Sequence, residues 1–168
     1  RLQIERKYAN LIRNAHLHLS YMYLITYNFV KCIYHGKILL RLAEEAKTNG
    51  AADKTLKLPA LPPVPPVTLY TVHCYIAESL CMLGKFPESL EHLEKAAEIS
   101  LDHEGQQFLV RDFEMKFRKI AFPASPASWE QSSEKLNLKI VNRLNKCVVY
   151  LCNGEFEMAR RGFDEVIS

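Results

Sequence analysis

The chain has 168 residues, 48% of them hydrophobic and 10% aromatic, with 22 Lys and Arg against 19 Asp and Glu. That length suits one domain, and the apolar content excludes a disordered chain. No run approaches the roughly 18 apolar residues that a membrane-crossing helix needs, and six unclustered glycines exclude a phosphate-cradling glycine loop.

In chain order, residues 2–26 read as one long helix. Leu17, Tyr21, Leu24 and Ile25 share one face, and Leu11, Ala15, His18 and Met22 lie near another, so both sides are expected to meet other helices. Asn28 caps a second helix over about 29–47, through Val30, Ile33, Leu39, Leu40 and Leu42 to a Thr48-Asn49-Gly50 stop. The insert 51–67 holds Pro59, Pro62, Pro63, Pro65 and Pro66 and reads as an extended, partly polyproline connection. Thr68 is expected to cap the next helix, which runs through Leu69, Val72, Ile76, Ala77, Leu80 and Leu83 to Gly84. Pro87 opens its partner, which carries Leu90, Leu93, Ala96, Ala97 and Ile99 inward and Glu88, Glu91, Glu94 and Glu98 outward to about Ser100. In the insert 102–128, Leu109, Phe113, Phe117 and Ile120 suggest an extra helix from Phe108. A Ser128/Gln131 capping box then starts a helix to about 153, and a last one begins near Phe156. The first residue is Arg1, and an apolar helical pattern is still running at Ser168, so the chain reads as a piece of a longer protein.

Three turns punctuate this order: Tyr27-Asn28-Phe29, Gly84-Lys85-Phe86 and Gly154-Glu155-Phe156. Apolar runs of helical length on both sides of each turn mark helix-turn-helix repeats, at about 13–47, 69–101 and 129–168. At the tetratricopeptide phase, Gly84 takes the turn glycine, Phe86 the following aromatic and Ile76-Ala77 the contact pair of the first helix. Leu80, Ser89, Leu93 and Ala96 take the remaining packing positions. Asn145, Tyr150, Gly154, Phe156, Ala159 and Phe163 repeat the pattern, as do Leu19-Ser20, Tyr23, Phe29, Cys32 and Gly36. The chain therefore resembles the tetratricopeptide family, which implies an all-α solenoid of three irregular hairpins. Equivalent positions lie 57 and 70 residues apart rather than about 34, so long insertions loop out after the first two hairpins.

The order of Leu19 to Leu24, the proline break, Ala77-Glu78-Ser79-Leu80, residues 88–93 and then 145–159 is similar to the C-terminal half of one tetratricopeptide family, the tenth subunit of the Ccr-Not deadenylase complex. That resemblance implies a non-enzymatic cytoplasmic subunit, and cysteines read as reduced thiols are consistent with cytosol or nucleus. It further implies that the protein joins the eleventh subunit in a module docked on the large Not scaffold, in mRNA poly(A)-tail shortening. It brings no catalytic residue and no cofactor.

Positions 2, 5, 9 and 12 of each first helix line the groove of such repeats. Here they are Asn14, Leu17, Tyr21 and Leu24, then Thr71, Cys74, Glu78 and Cys81, then Val141, Leu144, Val148 and Leu151. The lining is mostly apolar, and either the chain's own inserts or a partner helix must cover it. A co-chaperone groove for acidic peptide tails would need Lys, Arg and Asn there. Residues 1–68 balance at +6 and 69–101 at −3. The cations Arg1, Arg6, Lys7, Arg13, Lys31, Lys37, Arg41, Lys47, Lys54 and Lys57 are dispersed and read as a solvated helix face. The competing reading is weak contact with RNA through Arg111, Lys116, Arg118 and Lys119 around Phe113 and Phe117. Cys32, Cys74, Cys81, Cys147 and Cys152 form neither a disulfide framework nor a metal-ligand spacing and read as reduced, packed thiols. His16 and His18 point to different sides of a helix with no acid or thiol placed beside them. Glu44-Glu45, and Asp112 with Glu114, read as surface ion pairs.

Overall fold

The computed structural model describes residues 7–49, 60–109 and 138–168. In chain order they form α1 (Ala9–Ile25), α2 (Phe29–Asn49), α3 (Pro66–Met82), α4 (Phe86–Glu98), α5 (Leu138–Cys152) and α6 (Phe156–Ile167). Residues 103–109 are also helical, and no strand occurs among the described residues. The helices pair as α1/α2, α3/α4 and α5/α6, and the second helix of each of the first two hairpins packs on the first helix of the next. This is the all-α hairpin stack that the three turns imply.

One turn geometry closes all three hairpins. Tyr27, Gly84 and Gly154 adopt φ of 61, 75 and 78°. The N–H groups of Asn28, Lys85 and Glu155 each reach back 2.8 Å to the carbonyls of Tyr23, Leu80 and Tyr150. This six-residue closure satisfies carbonyls that a helix end leaves unpaired, and it needs a left-handed residue. Glycine adopts that conformation freely, whereas a tyrosine Cβ crowds the neighbouring carbonyl at a cost of about 1–2 kcal/mol. Tyr27→Gly, which gives up only an exposed side chain and its edge contact with Phe29, is therefore expected to raise stability by about 1 kcal/mol. A higher urea midpoint at unchanged slope would show it.

Close approach within each hairpin rests on two small residues facing each other: Ser20 with Cys32, Ala77 with Ser89, and Cys147 with Ala159, none more than 1% exposed. The Ser20 hydroxyl donates to the Cys32 carbonyl at 3.0 Å, and the Ser89 hydroxyl to the Ala77 carbonyl at 2.6 Å. The donor thus sits on opposite helices in the first two hairpins. Between hairpins, Leu39 and Ala43 of α2 bury against Val72, Ile76 and Leu80 of α3, joined by Val64 of the proline insert. Ala77, Cys81 and Leu93 meet Val149 of α5, with Phe86 and Leu90 beside them. At the open end of the second hairpin, Tyr70, Ala96 and Leu109 form a third cluster with Leu101 and Leu138, and the Tyr70 hydroxyl donates to Asn142 Oδ1.

Several expectations change. The first helix does not run unbroken from Leu2: Tyr8, at φ −109° and ψ 18°, breaks it, and residues 1–6 lie outside the described ones. Its Leu11, Ala15, His18 and Met22 side is exposed, as is Val30 of α2, because no described element packs there. Asn28 does cap α2, accepting the Lys31 N–H at 3.3 Å. Thr68 does not cap α3. The helix begins at Pro66, with Pro65 extended before it at ψ 139°, since a first-turn proline lacks an N–H that would be unpaired there anyway. Ala97 is exposed rather than inward. The insert helix already runs from 103 to 109 and buries Leu109, while Phe113, Phe117, Ile120 and the Ser128/Gln131 box fall outside the described residues.

Arg13 is the largest departure among the charges. Instead of joining a solvated face it is 4% exposed, and its guanidinium donates to the Pro62 carbonyl, with Asn10 Oδ1 at 3.5 Å. The proline segment thereby ties to α1 as well as to the first junction. The Glu44-Glu45 expectation holds, with exposed pairs Lys47–Glu44 at 2.8 Å and Arg41–Glu45 at 3.6 Å.

Candidate partner-binding groove

The first helices of the second and third hairpins stand apart along part of their length. Between them, floored by α4, lies a cavity of about 300 Å³. Cys74, Ala77, Glu78, Cys81 and Met82 come from α3, Ser89 and Leu93 from α4, and Asn145, Val148, Val149 and Cys152 from α5. Small residues make this opening: Ala77 and Ser89 draw α3 and α4 together, and the thiols of Cys74, Cys81 and Cys152 leave room that leucines would fill. Among the described residues, the only charge on the wall is Glu78.

Of the groove residues the repeat phase points to, Cys74, Glu78, Cys81 and Val148 gather in this cavity. Leu17, Tyr21 and Leu24 do not. Leu17 packs on the first junction, the Tyr21 ring rests 5.6 Å from that of Tyr75, and Leu24 is buried. They turn inward because α1 packs directly on α3. Leu144 is half-buried and Leu151 is exposed, both outside the cavity. Met82 and Cys152, 70 residues apart at the thirteenth repeat position, and Asn145 are lining residues the sequence reading missed. The 70-residue offset relates Met82 to Cys152, whereas the residue 70 before Asn145, Tyr75, does not line the cavity, so Asn145 left no such signal. Among the packing residues, Ala77, Ala96 and Ala159 are buried and Tyr23, Phe29, Phe86 and Tyr150 half-buried, with Gly84 and Gly154 in the turns. Phe156 alone departs, at 69% exposure: Phe86 is covered by the third hairpin, and no described hairpin follows Phe156.

The described part of the proline insert packs on α1, α2 and α3 at the first junction, and residues 101–109 pack at the open end of the second hairpin. Neither contributes a residue to the cavity wall.

The thiols divide as packing dictates. Cys32, Cys81 and Cys147 are buried, whereas Cys152 is exposed, which corrects its reading as a packed residue. Burial pushes the Cys81 thiol from the ordinary 9.0 up to about 11, helped by a hydrogen bond with Cys152, and burial raises Cys147 as well. That rise leaves far less thiolate at neutral pH. An alkylating reagent at pH 8 is therefore expected to modify Cys152 first and Cys81, Cys147 and Cys32 far more slowly, as read by mass spectrometry of digested peptides. No group of three or more His, Cys, Asp or Glu side chains placed to hold a metal occurs among the described residues. No helix among them is long and apolar enough to cross a membrane.

Three hairpins closed by one left-handed turn, drawn together at paired small residues and stacked second helix to first, define a tetratricopeptide-type helical-repeat protein, which is a protein-interaction fold. The chain belongs to the family of the CNOT10 tetratricopeptide repeat domain, whose model matches residues 11–168. No curated protein and no solved structure matches it.

Proposed function

We propose that the protein is a non-catalytic scaffold subunit of the Ccr-Not mRNA deadenylation complex that docks the accessory eleventh subunit onto the Not scaffold in the cytoplasm. The observation that carries this reading is the 300 Å³ cavity between α3 and α5, in a chain whose family is that of the CNOT10 repeat domain. Its thiol and aliphatic walls, with Val148 half-exposed on the rim and Leu151 exposed nearby, suit the apolar face of a partner helix. The described parts of the inserts contribute nothing to its wall, and a partner helix is the cover proposed here. A co-chaperone role is disfavoured, because among the described residues the wall carries Glu78 and no Lys or Arg, and so would repel the carboxylates of an acidic tail. The basic and aromatic residues behind the RNA reading, Arg111 to Lys119, lie outside the described residues.

Val148→Glu with Leu151→Glu tests the groove, since both side chains are already exposed and folding should survive. Pull-down with the eleventh subunit and with the N-terminal part of the Not scaffold is expected to lose at least one of them by about ten-fold or more, as for a loss of roughly 1.4 kcal/mol or more. Undiminished capture of both would remove the groove from the assembly. Binding to poly(A) at low salt would instead favour the RNA reading.

A further inference from the structure

The first two hairpins carry the same polar device at the same place. His16 Nδ1 lies 3.0 Å from His35 Nδ1, and His73 Nδ1 lies 2.9 Å from His92 Nδ1. Ring centroids are 5.2 Å apart in both pairs. Each pair is separated by 19 residues, and the 57-residue repeat offset maps one pair onto the other. Each therefore bridges the first and second helix of its hairpin at one register. The corresponding positions of the third hairpin hold Arg143 and Gly162, where Arg143 instead meets Glu165 at 3.3 Å.

Two ring nitrogens at this distance form a hydrogen bond only if one carries the proton and the other offers its lone pair. A closed pair has room for a single proton between the rings. With both Nδ1 atoms protonated, two N–H groups would point at each other, and two like charges would sit in a half-buried site. The surroundings do little to relieve that. Beside His16 stand His35 and Arg41 of α2, and His35 is flanked by the Tyr23 and Tyr34 rings, with Lys31 over Tyr23. Facing His73 and His92 are Lys95 of α4 and Lys37 of α2, against Glu88 and Glu91 of α4. Glu91 is engaged by Lys95 at 2.6 Å.

We propose that the two histidine pairs are acid-release latches, which hold the first and second hairpins closed while the imidazoles are neutral and let their helices part when both rings of a pair become cationic, leaving the third hairpin closed. Burial, then the charges of His92 and Lys95, pushes His73 from the ordinary 6.5 down to about 4. Burial likewise lowers His16 and His92. A histidine whose folded value lies below its unfolded one binds protons more readily once released. Its contribution to closure is therefore complete above about pH 6.5 and is lost as pH falls from there toward 4.

Imidazole nitrogen NMR of the full chain, titrated from pH 7.5 to 4, is expected to show His73 protonating below pH 5. Rings of all four histidines titrating near 6.5 would overturn the latch. Opening is read by a pyridyl disulfide reagent in a chain carrying Cys152→Ser, which removes exchange with the neighbouring thiol, with rates divided by those of the unfolded chain, at Cys32 for the first hairpin, Cys81 for the second and Cys147 for the third. Between pH 7.5 and 5, a histidine lowered as far as His73 favours the open form about thirty-fold, so Cys81 is expected to gain at least about ten-fold over Cys147, and Cys32 to gain over Cys147 in the same direction because burial lowers His16 too. Equal acceleration at all three thiols would overturn the proposal. His73→Phe with His92→Leu should abolish the acid response at Cys81 and leave that at Cys32, and a retained response at Cys81 would count against the pair. Should that variant not fold, the NMR titration of the unmodified chain still decides.

Discussion

Replacing Ile76 with alanine is expected to remove about 2–5 kcal/mol of stability. Ile76 has no exposed surface and sits among Leu39, Ala43, Val64, Val72 and Leu80, which come from α2, the proline insert and α3. Its environment is fitted from the opposite side by Gly36 of α2, where an added Cβ would stand 2.8 Å from Ile76 Cγ1. Three lost carbons leave a cavity that this close backbone contact cannot collapse to fill. Repeat stacks hold together through nearest-neighbour junctions, so the loss should also uncouple the first hairpin from the second. Urea unfolding followed by far-ultraviolet circular dichroism is expected to show a lower midpoint, and limited proteolysis to cut first between the two hairpins. Ala15→Ser, on the exposed face of α1, is the control and should stay within about 0.5 kcal/mol. A cost below about 1 kcal/mol for Ile76→Ala would mean that this junction does not hold the stack.

Gly162→Val is expected to cost about 1–3 kcal/mol, against the direction that helix propensity suggests. A glycine within an exposed helix usually loses about 1 kcal/mol relative to alanine, so removing it would ordinarily help. Here a Cβ would clash with Cys147 Sγ, and Cys147 is 1% exposed, so the thiol must make room within a packed interior. Close packing of α5 on α6 decides the sign. Cys147→Ala removes the sulfur and should rescue Gly162→Val, so that the double variant is more stable than the sum of the singles by about 1–2 kcal/mol. Additive losses in that cycle would show that the two side chains do not compete for the same space. Thermal unfolding of the four proteins at one pH gives the comparison.

The turns were legible because each needs a residue type that the sequence displays: glycine at 84 and 154 for the left-handed corner, and Asn28 as a cap. Even there the first hairpin hid its strain, since Tyr27 in that corner looks like any aromatic beside a turn. The groove was half legible. Repeat phase located Cys74, Glu78, Cys81 and Val148, because the face a helical residue occupies follows from its number. It misplaced Leu17 and Leu24, because whether that face is open depends on how near the next helix lies. The histidine pairs left a trace, the same 19-residue spacing recurring 57 residues later, but a spacing across a turn becomes a contact only when two helices are brought side by side. Arg13 left none: its partner is a backbone carbonyl 49 residues away, and a carbonyl has no signature in the sequence.

By itself the sequence determined the all-α class and the three hairpins with their turns, because helical periodicity, caps and corner glycines are local and act within a few residues, and its residue order carried the likeness to the family. The tertiary structure alone decided which apolar faces are buried, where Arg13 finds its acceptor, that Gly162 must stay small, and that four histidines stand in two facing pairs. Those outcomes depend on distances between helices, which are set jointly by the side chains of both partners at each junction and by no single stretch of the chain.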